Sequence, residues 1–386
     1  MWGFWKNITF RQLSFALAVL LYGCFSSPTP DDFGPAEIGV FAFLFLSLSP
    51  SFLSGNGYAL AFAAYGLSVP LTIAIIHGHA AGQIIRDVIP FIFLLMPLLF
   101  YYRGERDVKF LSILTVSVGL IFSLRSLGSF ASDIADPMQW LGTPPDLLYL
   151  ANSPEVLFAA IYLLHNALSA DKKWFQRIPS ALLACLPLLA MATLVQRASL
   201  LYVVACSFIF ICVLFSAKRK TAIFIGCSAW MLFLTVPFIE DIFRQLSFKT
   251  QMVGLNSRGN EWKEVITHVS SSTLSLLFGK GWGAELENPA VGGLRVIFTH
   301  SLLSSLLLKA GFISLFLFLL YLFNLARDAS RFITREYKYF FMLAGPLLIG
   351  LTLYASYKSF GYGLLILILA SCAKSKRLEG DTRPVP

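Results

Sequence analysis

Four residues combine a reactive side chain with an informative position: Arg197, Arg258, Glu261 and His300. A neutral imidazole can take a proton from a hydroxyl near neutral pH, so His300, in Thr299-His300-Ser301, has the character of a general base. The segment Asn256-Ser257-Arg258-Gly259-Asn260-Glu261-Trp262 opens what reads as a short surface helix. Its apolar residues Trp262, Val265, Ile266 and Val269 follow at helical spacing. That places Arg258, Glu261 and Trp262 on one face, either as working groups or as an ordinary i,i+3 ion pair. Gln196-Arg197 interrupts an apolar stretch from Ser180 to Ala217. An arginine at that depth faces a bundle or a water-filled cavity, unless it is a turn residue directed at the headgroups.

Weaker signals surround these. Phe278-Gly279-Lys280-Gly281-Trp282-Gly283 alternates glycines, which lets backbone N–H groups turn toward an anion; a plain turn is the simpler reading. It matches neither nucleotide-binding glycine fingerprint. Trp140, Tyr149, Trp262 and Trp282 can stack on sugars or simply mark a membrane interface. Arg86 and Arg125, near external helix ends, are weaker candidates of the same kind as Arg197. Lys309 falls half a turn round from His300 and should pair inside the bundle or snorkel. His77 and His79 read as interfacial residues, and His165 and His268 stand alone, so no metal site and no cofactor are expected. Cys24, Cys185, Cys206, Cys212, Cys227 and Cys372 all sit in apolar runs, as small buried hydrophobes.

The elements that must position these residues are membrane helices. The chain has 386 residues, 57% apolar and only 13% charged. A soluble domain carries about 25% charged residues. Alternating apolar and polar strands are missing, which excludes an outer-membrane barrel. Apolar runs fall at 13–25, 36–53, 58–77, 88–102, 110–128, 155–170, 180–195, 198–217, 221–239, 297–323, 339–356 and 360–373. These predict an all-α polytopic membrane protein of about 12 transmembrane helices. The stretch from Ser180 to Ala217 would be too long for one span, so it should form a hairpin turning at Arg197. The net charge of +9 reflects basic clusters on alternate loops and not nucleic acid. Lys172, Lys173 and Arg177, then Lys218, Arg219 and Lys220, then Arg327, Arg331 and Arg335 place both termini in the cytoplasm. The whole chain, 1–386, is one integral membrane domain with no repeat. Its one sizeable feature outside the bilayer is the external loop 240–296 between spans nine and ten.

These parts in this order resemble the O-antigen ligase and polysaccharide polymerase superfamily of bacterial inner-membrane glycosyltransferases. The resemblance rests on the span plan, the large periplasmic loop, Arg258 with Glu261-Trp262 behind it, and the Gly279–Gly283 stretch. A His-Asn/Ser/Gln-x9-Gly signature completes it, read here as His300-Ser301 and Gly311. The ligase form carries Gly, Thr or Val three residues later, where this chain has Ser314. Residues before Arg197 match in hydropathy only. The resemblance implies a GT-C-like bundle with part of the active site in the 240–296 loop. The implied enzyme is metal-independent and moves an undecaprenyl diphosphate-linked glycan onto a lipid A-core sugar hydroxyl. In it Arg197 and Arg258 hold the diphosphate, His300 serves the acceptor and Glu261 supports it. Lys280, Gly281, Trp282, Trp262 and Arg86 are possible substrate contacts. Donor, acceptor and membrane lipids are the expected partners. A polymerase joining lipid-linked repeats, or a flippase without chemistry, are the alternatives.

Overall fold

The computed structural model describes residues 8–29, 34–49, 57–102, 104–129, 145–169, 171–217 and 257–375. The ninth apolar run, the loop before Ser257 with Asn256, the cluster Lys218–Lys220, Cys227 and Trp140 lie outside the described residues. The rest is almost entirely helical. The helices are α1 (Phe10–Phe25), α2 (Pro35–Ser47), α3 (Gly57–Ile76), α4 (Ala81–Leu94), α5 (Met96–Leu99), α6 (Glu105–Ser129) and α7 (Pro145–Asn152). After these come α8 (Pro154–Leu168), α9 (Trp174–Thr193), α10 (Arg197–Ala217), α11 (Ser257–Val269) and α12 (Thr273–Phe278). The chain then forms α13 (Leu302–Arg335), α14 (Lys338–Thr352) and α15 (Phe360–Lys374). Among the described residues five helices are long and apolar enough to cross a membrane: α3, α6, α9, α10 and α13. Shorter apolar helices accompany them, α1, α2, α8, α14 and α15. The chain is a helical membrane protein.

Burial explains the arrangement. Every residue of α15 from Phe360 to Cys372 is buried, and a helix apolar all round belongs in the middle. It packs against α13, α6, α4, α5 and α14. At the periphery, α2, α9 and α10 turn large apolar residues outward, among them Phe45, Leu182, Leu201 and Phe208. Apolar surface inside and outside together is the pattern of a bundle solvated by lipid. Cys24, Cys185 and Cys212 belong to that outer surface, so the expectation of six buried cysteines fails for these three; Cys206 and Cys372 are buried. They still face an apolar environment, which is why hydropathy did not separate the two cases.

Three sequence expectations meet different structures. The run 88–102 is not one helix: α4 begins at Ala81, breaks at Leu95, and α5 ends at Leu99. The segment before the tenth run holds a small antiparallel hairpin, β1 (Leu286–Asn288) with β2 (Leu294–Val296), in which Leu286 faces Val296. Gly292 and Gly293, both at positive φ, turn it. The tenth run, placed at 297–323, becomes helical only at Leu302, after the cap Ser301 accepts the Ser304 N–H at 3.1 Å.

Gly311 then divides α13. Its φ of 71° and ψ of −176° are not helical, so Leu302–Ala310 is a separate segment and the long span starts at Phe312. The three carbonyls ending the first segment are all satisfied from outside it. Lys280 N–H donates to Leu308 O at 2.9 Å, Gly281 N–H to Lys309 O at 2.9 Å, and Tyr65 OH to Ala310 O at 2.9 Å. A Cβ on Gly311 would overlap the Leu277 carbonyl oxygen. Gly311→Ala should therefore destabilise the chain by more than the about 1–3 kcal/mol that left-handed backbone alone costs a non-glycine residue. Thermal unfolding in detergent measures it, with Gly57→Ala, where no neighbour lies within 4 Å, as the reference.

Candidate active site

The site is built where the 257–301 segment meets the bundle. In α11, Val265 and Val269 are fully buried against Leu286, Leu307 and Leu308, with Trp262 half-buried beside them. Each such burial is worth roughly 1.5–3 kcal/mol and fixes α11 on the first segment of α13. Ile266, expected on the same face, is instead 49% exposed. The packing brings Glu261 to His300. Glu261 Oε1 accepts the His300 backbone N–H at 2.7 Å, and Oε2 lies 2.6 Å from His300 Nδ1. Both carboxylate oxygens thus grip one residue. With Nδ1–H donating to the carboxylate, the Nε2 lone pair is left to accept a proton. The Glu261 side chain is buried, while His300 is 21% exposed, held in orientation yet open to a reactant. Burial alone would raise the Glu261 pKa, but the bonds from His300 and the charge of Arg258 hold it below the ordinary carboxylate value.

The expected Arg258–Glu261 pair is replaced by this longer-range one. Arg258 instead lies over the Tyr354 ring, 5.0 Å from its centroid, in the turn between α14 and α15. Its Nη1 is buried and has no hydrogen-bond partner among the described residues. Burial lowers the Arg258 pKa; Tyr354 and Glu261 pull it back, and the nearby Arg197 charge lowers it further. Arg197 is the first residue of α10. The expected hairpin is present: α9 ends at Thr193, and Val195 turns the chain at φ 52°, a strained value for a β-branched residue. The turn closes through Gln196 N–H to Met191 O at 2.9 Å. Arg197, Arg258, Glu261 and His300 therefore come together from α10, α11 and the strand-like lead-in to α13.

That lead-in has no regular structure of its own, and side chains hold its backbone. Ile297 O accepts from Lys309 Nζ at 2.5 Å, Phe298 O from Asn288 Nδ2 at 3.3 Å, and Thr299 O from Tyr357 OH at 3.2 Å. His300 N–H goes to Glu261. Lys309 is completely buried and also pairs with Asp87 of α4, whose Oδ2 accepts the Gly283 N–H at 2.7 Å. Lys309 thus joins the site through the backbone of the lead-in; the half-turn offset expected from His300 does not apply, because His300 precedes the helix. Sequence spacing could not find its partner, because Asp87 is far away in the chain.

The N–H groups of the glycine stretch are already taken: Gly279 donates to Ser275 O, Lys280 and Gly281 cap the first segment of α13, and Trp282 and Gly283 go to Pro70 O and Asp87. Gly281 sits so close to α3 that a Cβ would come 2.6 Å from Ala74 N. Trp282 is buried, with its Nε1–H donating to Gly66 O at 2.8 Å. Lys280 turns its Nζ to Ser271 Oγ at 2.7 Å, away from His300. Trp262 is an anchor of α11 before anything else. His77 and His79, read as interfacial, dock this stretch: their Nδ1 atoms lie 3.3 Å from Lys280 O and 2.8 Å from Trp282 O. Arg125 caps the end of α1 through Gly23 O and Ser26 O, at 2.8 and 2.7 Å. Arg86 lines a cavity that also takes in Phe298, whose ring meets the His300 ring at 5.8 Å. Among the described residues no three His, Cys, Asp or Glu side chains form a metal-sized group.

No family model matches the chain, and no curated protein sequence matches it.

Breaking one side of the Asp87–Lys309 pair leaves a buried charge uncompensated. Lys309→Met or Asp87→Asn should each cost about 3–5 kcal/mol, whereas the combined replacement costs less than the sum. Chemical or thermal unfolding of the detergent-solubilised variants gives the three values.

Proposed function

We propose that the protein is a metal-independent glycosyltransferase of the O-antigen ligase type, transferring a glycan from undecaprenyl diphosphate to a lipid A-core sugar hydroxyl. The observation that carries this reading is the Glu261–His300 dyad beside Arg258, whose buried Nη1 lacks a partner among the described residues. In the reaction the acceptor oxygen attacks the anomeric carbon as the C–O bond to the diphosphate breaks. The hydroxyl proton passes to His300 Nε2, and the electron pair leaves with the lipid diphosphate. Glu261 stabilises the imidazolium that forms. Arg258 and Arg197 meet the charge growing on the leaving oxygen, and in a water-poor mouth fixed guanidiniums are effective at this. The energy comes from the activated donor, so no nucleotide is required.

The reading carries a topology. The bundle is a GT-C-like inner-membrane protein of about twelve spans with both termini cytoplasmic, and the 240–296 loop and His300 face the periplasm. A polymerase would use the same donor chemistry on a lipid-linked repeat, and Ser314, where the ligase form has Gly, Thr or Val, weakens the choice of ligase over polymerase.

The test is glycan transfer in vitro and in a complemented deletion strain. Arg258→Lys and Arg197→Lys should each lose about 10²–10³ in rate, since lysine keeps the charge but not the fork. His300→Ala should lose about 10²–10⁴ with donor binding intact. Transfer should persist in excess EDTA. Deletion should leave long lipid-linked chains for a ligase and single repeats for a polymerase. Full transfer in both Arg258→Lys and His300→Ala would leave the loop and the tenth helix as structure only, and no transfer by the purified wild-type protein would favour a flippase.

A further inference from the structure

The stretch 273–283 packs well below the ends of the helices it touches. Trp282 N–H donates to Pro70 O at 3.3 Å and its Nε1–H to Gly66 O at 2.8 Å, both in α3, which ends at Ile76. Along the helix axis Pro70 is about 9 Å and Gly66 about 15 Å short of that end. A helix the length of α3 matches the hydrocarbon core, about 30 Å. The other neighbour is α13, where the Leu277 carbonyl sits against Gly311. Residues 312–326 carry no charge before Arg327. As a helix they rise about 22 Å, which leaves Gly311 about 8 Å inside the far boundary of a 30 Å core. The two helices give the same answer.

The stretch also enters and leaves on one side. Ser270, Ser271 and Ser272, all exposed, precede α12, and α12 runs down to Leu277 beside Gly311. The return passes Gly283, which lies against Gln83 in the first turn of α4 and donates its N–H to Asp87. Backbone at membrane depth is tolerated only where protein satisfies it. Every N–H from Gly279 to Ala284 is donated within the protein, which meets that condition. The side chains of α12 meet a different one. Leu274 is 69% and Leu276 39% exposed, close to the level at which Phe312 and Phe316 of α13 are 53% and 51% exposed. The apolar outer surface of the span thus continues onto α12.

We infer that residues 273–283 form a re-entrant segment in the external leaflet, with Leu274 and Leu276 covered by lipid acyl chains. The segment holds the dyad at headgroup level. Leu302–Ala310 rises about 13 Å from Gly311, which carries His300 about 5 Å beyond the core boundary, into the polar layer of the bilayer. A group anchored in lipid therefore meets Arg258 and His300 without leaving the membrane. The inference rests on the proposed topology for the side of the membrane, and on nothing else in that reading.

The experiment uses the unmodified full chain in phosphatidylcholine nanodiscs, with one phospholipid carrying a diazirine in its acyl chain and another carrying it on the headgroup. Residues 274–278 should take the acyl-chain label as 312–316 do, and 258–264 the headgroup label. A membrane-impermeant maleimide gives a second measure. It should modify Leu274→Cys about tenfold or more slowly than Lys263→Cys, because a thiolate does not form in hydrocarbon, with the wild-type chain as background. No acyl-chain label at 274–278, in a chain labelled at 312–316, would overturn the inference. Fast modification of Leu274→Cys would then place α12 in water, and slow modification would mean that a protein partner covers it. Acyl-chain label on 258–264 would overturn the headgroup placement of the dyad. His300→Ala, which stops transfer under the proposed function, should change neither pattern. A chain that labels as expected but transfers nothing loses the transferase reading and keeps the re-entrant segment.

Discussion

A backbone segment without secondary structure must have its polar groups paired by something else, and residues 297–300 have one such group each paired by a side chain. Lys309, Asn288, Tyr357 and Glu261 each take one N–H or C=O in turn. These four come from α13, the hairpin, the turn before α15 and α11, so the position of His300 depends on how all four pack. A buried polar group left unpaired costs about 1–3 kcal/mol. Every clamp is therefore a steep constraint on the imidazole that follows it.

Two further devices make the clamps possible. The Asp87–Lys309 pair is a poor source of net stability, since desolvation of two charges offsets much of their attraction. Its value here is geometric, because one ammonium joins α4, α13 and the lead-in to His300, and the carboxylate adds the glycine stretch. The break at Gly311 supplies the other. It ends a short helical segment, exposes its last carbonyls, and gives the 279–283 stretch something to cap. The nine-residue gap between Ser301 and Gly311 is thus the length of one capped segment.

Much of this was legible in the sequence and some was not. Apolar runs mark the helices well, because lipid-facing and core-facing residues are equally apolar; for the same reason they do not tell a buried cysteine from one on the outer surface. The turn at Arg197 could be read from a run too long to be one span. The region 81–102 was misread, since Arg86 and Asp87 make α4 amphipathic, and Pro90 and Pro97 obscure its ends. Glycine spacing at 279–283 announces close approach of backbone but not what approaches, and the partners proved to be α3, α4 and α13 instead of an anion. Pairings across long chain separations, Glu261 with His300 and Asp87 with Lys309, replaced the local ones that helical spacing suggests. Burial decides that contest: a carboxylate taken out of water keeps its charge where a donor pair is fixed beside it. The 286–296 hairpin had a signal in Pro289 and Gly292-Gly293 that hydropathy alone passed over.

The central claim is that Glu261 and His300 work as one unit. A double-mutant cycle on single-turnover glycan transfer tests it most directly, with His300→Ala, Glu261→Gln and both together at saturating donor. If the carboxylate acts only through the imidazole, the double variant is no slower than His300→Ala alone. Losses that multiply, with the double variant slower by the product of the two single effects, would contradict the account.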